Sequence, residues 1–112
     1  MLKDDWVYVE HVFERAQKVL LFTEGMTEND FMNDEKTQSA VIREFEVIGE
    51  ASKRITEDFR SKHNAIPWKL MAGMRDMLIH HYEGVDLFNV WDTIQNDVPV
   101  LIAELKKIIP DK

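Results

Sequence analysis

Residues 66–91, IPWKLMAGMRDMLIHHYEGVDLFNVW, hold a helix start, an apolar helical stripe, a stop and a second helix start. Pro67 suits a first helical turn, where its missing N–H would have found no intrahelical partner. Leu70, Met71, Met74 and Leu78 recur at three- and four-residue steps with Met77 beside them, which predicts one apolar helix side. Gly84 suits a C-terminal stop. Asp86 can then cap a further helix carrying Val90, Trp91, Ile94, Val98, Leu101, Ile102, Leu105 and Ile108. Pro99 falls inside that pattern and is expected to kink or split it, because proline removes one ladder bond and clashes with the carbonyl four residues back.

The same period extends towards the N-terminus. Trp6, Val9, Val12, Phe13, Ala16, Val19 and Leu20 predict a helix over about residues 5 to 24, stopped at Gly25. In the polar connector that follows, Thr27 can cap a short turn that carries Phe31 into the core. Val41, Ile42, Phe45, Ile48, Ala51, Ile55 and Phe59 then predict one long helix from near Glu35, fading in RSKHNA. Gly49 would cost that helix up to about 1 kcal/mol relative to alanine, which marks it as the place of a close helix crossing. No alternating run of strand length occurs, so the expectation is all-α: an antiparallel bundle of four principal helices in a single domain over residues 1–112.

Composition bounds the function. The 112 residues include no cysteine, which excludes disulfides, thiolate zinc sites and thiol nucleophiles. No stretch approaches the roughly 20 apolar residues of a membrane span, and the N-terminus lacks a signal peptide's pattern, so the expected address is the cytoplasm. The net charge of −7 divides unevenly along the chain. Residues 1–50 hold 5 basic against 12 acidic groups, residues 51–75 hold 6 against 2, and residues 76–112 hold 3 against 7. A polyanion would therefore have to be met locally, near Lys53, Arg54, Arg60, Lys62, Lys69 and Arg75, unless these side chains simply form a solvated helix face.

Common site signatures are missing: there is no glycine-rich phosphate loop, no nucleophile elbow and no His-Glu-x-x-His motif. Met77 and Leu78 occupy the positions three before His80 and His81, so the di-iron bundle pattern fails as well. His11 and His63 read most simply as surface residues. What remains is the polar cluster Arg75, Asp76, His80, His81, Tyr82 and Glu83 at the end of an apolar helix. Such a cluster either complements the helix dipole at its C-terminus or forms a site.

Arg75, then four residues, His80, one residue and Tyr82 resembles the signature of the HepT-like toxins of the HEPN ribonuclease superfamily. The likeness extends outwards through VIGEASKRI at residues 47–55, the lead-in Ile66-Pro67-Trp68, Val85-Asp86, Trp91 and Pro99. This resemblance implies a HEPN-like bundle and a metal-independent endoribonuclease of a type VII toxin-antitoxin system, with Arg75 and His80 catalytic and no cofactor. It also implies a cognate minimal nucleotidyltransferase antitoxin that transfers AMP to Tyr82 and silences the toxin. The chemistry is coherent, because RNA carries its own 2′-hydroxyl nucleophile and needs only proton transfer and charge stabilisation. An unperturbed histidine titrates near about 6.5, and a guanidinium offers paired donors to phosphate oxygens.

Five residues turn an ideal helix by about 500 degrees, so Arg75 and His80 would point to different sides of it. Either the backbone departs from α geometry near His80, or two subunits converge. HEPN proteins commonly dimerise with their motifs facing one cleft, which makes a homodimer the expectation. Asp76, which could orient a histidine or pair with Arg75 of the partner subunit or simply be a solvated acid, and Glu50, which could approach the cleft if its helix lines it, are secondary candidates. The rival from another class is a non-catalytic helical module that binds a nucleotide or a nucleotidyltransferase.

Overall fold

The computed structural model describes residues 4–79 and 84–110. Among these the chain is helical, with α1 at Asp5–Phe22, α2 at Glu28–Met32, α3 at Glu35–Lys53, α4 at Glu57–Lys62, α5 at Trp68–Ile79 and α6 at Leu87–Ile108, and no strand. The principal helices α1, α3, α5 and α6 form the expected all-α bundle. α3 packs against α1 on one side and α5 on the other, and α1 packs in turn against α6.

The apolar stripes form the core. Val9, Val12, Ala16 and Val19 of α1 meet Val41, Phe45 and Ile48 of α3, Met71 and Met74 of α5, and Val90, Ile94, Val98, Leu101 and Leu105 of α6, all essentially inaccessible to water. Burying each of these side chains larger than alanine contributes about 1.5–3 kcal/mol, so this cluster outweighs any single polar contact in the structure. Phe31 is buried at α2 and lies with its ring centroid 5.3 Å from that of Trp91, which ties the short helix to α6.

Caps set most helix boundaries. Thr27 and Asp30 form a reciprocal capping box at α2, and Asp86 accepts hydrogen bonds from the Phe88 and Asn89 backbone N–H groups at α6. α1 ends at Phe22, with Gly25 beyond it at φ +76. The long helix expected from Glu35 through Phe59 is instead two helices. Thr56 ends the run by capping α4, accepting from the Phe59 N–H, while the Asp5 carboxylate of α1 accepts from both the Thr56 N–H and its hydroxyl. Ile55 and Phe59 are buried on either side of the break, so their spacing imitates a continuous stripe.

α6 runs unbroken through Pro99 for 22 residues. The carbonyl that loses its partner belongs to Gln95, which is exposed, so water can satisfy it. His63 is not a plain surface residue. Its ring is half-buried 4.4 Å from Phe59 and 5.8 Å from Trp6, measured between centroids.

The first turn of α3 carries a pH-dependent cap. The Asp34 carboxylate accepts from the Thr37 hydroxyl at 2.7 Å and the Thr37 N–H at 3.0 Å, and these bonds hold its carboxyl below the ordinary 3.8. A lowered folded-state value contributes stability that is present above 3.8 and lost as pH falls through the lowered value. Urea midpoints of wild type and Asp34→Asn should therefore differ at pH 7 and converge on acidification below about pH 4, because asparagine caps without titrating.

Candidate functional site

α5 is held at its start by the segment before it. The Pro67 carbonyl accepts from the Leu70 N–H, and the Trp68 indole N–H donates to the His63 carbonyl at 3.1 Å. Ile66 is buried beneath this turn. Met71 and Met74 face inward, so Arg75, the residue after Met74, comes to the border between core and solvent with 31% of its side chain exposed.

At that border α3 and α5 approach unusually closely. A Cβ placed on Gly49 would stand 2.4 Å from the Arg75 Cβ and 3.3 Å from the Arg75 Cα. Carbon atoms do not approach that far, so the crossing exists only because residue 49 has no side chain. The expectation that Gly49 marks a close helix crossing thus holds, and the helix it meets is the one bearing the candidate motif. The next residue completes the contact, as Glu50 Oε1 accepts from Arg75 Nε–H at 2.6 Å. The Glu50 side chain is 53% exposed, and exposed ion pairs contribute about 0–1 kcal/mol, so the bridge adds little to stability.

Within the described residues the two terminal nitrogens of Arg75 make no hydrogen bond. They are the paired donors that suit phosphate or carboxylate oxygens. Asp76 is exposed on the outer side of α5 and forms no ion pair among the described residues. His80, Tyr82, His81 and Glu83 lie outside the described residues, so of the residues expected to act in catalysis or modification Arg75 is the one whose surroundings are defined. Glu50, a secondary candidate in the sequence, joins it. Its signal was its place beside a glycine in the middle of a long helix.

The six basic side chains of residues 51–75 are not equivalent. Arg60 turns inward and donates to the Ser52 carbonyl, Lys62 pairs with Asp58 at 3.2 Å, and Arg75 pairs with Glu50. Lys53, Arg54 and Lys69 are exposed and form no ion pair among the described residues. The first two end α3 and the third begins α5. Among the described residues no three His, Asp or Glu side chains converge as metal ligands, and no helix is long and apolar enough to cross a membrane.

The family model described as ribonuclease HepT-like matches residues 12–108. A candidate RNase of Methanocaldococcus jannaschii is 46% identical over 109 residues, covering 97% of this chain and 90% of that protein. The "Probable ribonuclease HepT" of Thermococcus cleftensis is 46% identical over 101 residues, covering 90% and 92%. A second M. jannaschii protein, which joins a gamma-glutamylcyclotransferase to a candidate RNase, is 43% identical over 111 residues, covering 99% of this chain and 50% of its own length. No solved structure matches the chain.

The crossing makes opposite predictions for two glycines. Alanine gains up to about 1 kcal/mol over glycine in a helix interior, but at position 49 it meets the stem of Arg75, and such overpacking costs about 1–3 kcal/mol. Nothing stands within 4 Å of the corresponding site at Gly73. Urea unfolding should therefore show Gly49→Ala less stable than wild type and Gly73→Ala more stable, by up to about 1 kcal/mol.

Proposed function

Since this chain belongs to the HepT-like ribonuclease family, we propose that it is a metal-independent endoribonuclease toxin of a type VII toxin-antitoxin system. The observation that carries the reading is Arg75, inside the matched region, held at the α3–α5 crossing with its terminal nitrogens unengaged by the described residues. In this reading the RNA 2′-oxygen attacks the adjacent phosphorus while its proton passes to a base. The 5′-oxygen then leaves with a proton from an acid, and His80 performs proton transfer of this kind. Arg75 donates to the non-bridging phosphate oxygens as negative charge builds on them, a role in which fixed donors contribute most. No cofactor enters the scheme.

The substrate is RNA, and the acidic chain meets it through local charge. Arg75, with Lys53 and Arg54 at the end of α3 and Lys69 in the first turn of α5, supplies that charge. A homodimer with two copies of Arg75 and His80 around one groove overcomes the divergence of the two side chains on an ideal helix. The cognate partner is a minimal nucleotidyltransferase antitoxin that adenylylates Tyr82. AMP two residues from His80 adds bulk and negative charge where an RNA phosphate would sit, and both exclude substrate. The protein acts in the cytoplasm in this scheme.

Purified protein in EDTA should cleave RNA. His80→Ala is expected to lower the rate by about 10²–10⁴-fold and Arg75→Ala by about 10²–10³-fold, with circular dichroism unchanged. Wild-type activity in His80→Ala would refute the enzyme assignment and leave a binding module. Co-expression with an active transferase should add AMP-sized increments to the intact mass, and these should be absent in Tyr82→Phe. An unmodified wild-type mass beside a demonstrably active transferase would refute the modification scheme.

A further inference from the structure

Glu50 carries no part in the scheme above, yet its carboxylate makes the shortest side-chain contact to Arg75 that the described residues offer. Three observations define what it can do. The bond goes to Nε, not to the end of the guanidinium, so the paired terminal donors are left over. The glycine before Glu50 brings the Arg75 stem against the α3 backbone, which places the carboxylate alongside the middle of the arginine side chain. The contact is partly exposed to water and so weak as a stability element, so its removal can be read in activity with little change in folding.

We infer that Glu50 is a positioning residue for Arg75: by accepting the Nε–H it fixes the plane of the guanidinium and turns the terminal pair outward, towards the phosphate that is cleaved. The inference rests on the proposed ribonuclease site. An arginine side chain has many rotamers, and a planar fork serves a transition state only when its plane is set before the substrate arrives. Glu50 sets that plane from α3, while α5 supplies the group itself. The carboxylate also offsets part of the guanidinium charge at rest, so the orientation of the donors, more than their raw charge, is what the pair delivers.

The test compares Glu50→Ala and Glu50→Gln with wild type, Arg75→Ala and His80→Ala in metal-free RNA cleavage, together with the Arg75 Nε–H signal in nitrogen-15 NMR. Glu50→Ala should lower kcat by about 10–100-fold with a smaller change in KM, the scale expected when a reacting group is misplaced by about 1 Å. Its melting temperature should stay within a few degrees of wild type (~5 °C or less), and its Nε–H signal should broaden through exchange with water. Glu50→Gln keeps an acceptor oxygen for Nε–H and should recover most of the rate with the pH profile unchanged in shape.

Wild-type or higher kcat in Glu50→Ala, while Arg75→Ala and His80→Ala are inactive, would overturn the positioning role alone. So would a Glu50→Gln as impaired as Glu50→Ala, or one that loses a limb of the pH profile. If Arg75→Ala and His80→Ala both cleave like wild type, the ribonuclease site itself falls, and the Nε–H signal still reports whether Glu50 holds the guanidinium.

Discussion

The absence of one carbon atom at residue 49 governs this molecule. α3 is the helix on which the bundle is assembled, with α1 on one side and α5 on the other. Its approach to α5 is closer than any side chain larger than hydrogen would permit, because a Cβ there would overlap the stem of Arg75. Glycine in a helix interior is unfavourable by about 1 kcal/mol, and that cost is offset by a crossing that packs Met71 and Met74 into the core and delivers Arg75 to its edge. Stability and the proposed site are joined at this point: the contact that lets α5 dock is also the contact that places its arginine.

Charge in the structure is organised by what each group touches, not by its count. Arg15 and Glu44 face each other at 3.4 Å between α1 and α3, with only 6% of the Glu44 side chain accessible, so this pair belongs to the packed interior. Arg60 and Lys62 are likewise engaged, by a backbone carbonyl and by Asp58. Among the six basic side chains of residues 51–75 this leaves Lys53, Arg54, Lys69 and the outer end of Arg75 without an ion-pair or backbone partner among the described residues. A net charge of −7 and a ribonuclease family are compatible because charge acts locally, and the α3 and α5 layer carries unengaged cations at Lys53, Arg54 and Lys69.

Where sequence reading succeeded, the deciding interaction was local. The caps at Thr27 and Asp86 satisfy N–H groups two or three residues on, and the apolar stripes of α1, α5 and α6 follow the helical period. Where it failed, the deciding interaction came from far along the chain. The break before α4 depends on Asp5, 51 residues away, accepting both donors of Thr56. The half-burial of His63 depends on Trp6, near the start of the chain, closing over it together with Phe59.

The sequence by itself determined the helical class, the core stripes, the lack of thiol chemistry and the motif that ties the chain to the HepT-like ribonucleases, because each is a matter of residue type and short spacing. It also marked Gly49 as a crossing. Only the tertiary structure decided which helix crosses there and which group fills the space. Arg75 and Glu50 are 25 positions apart, and their 2.6 Å contact follows from the relative placement of two helices, a quantity that no local period encodes. A helix period says which way a side chain faces on its own axis. What it faces is set by the packing of the whole bundle.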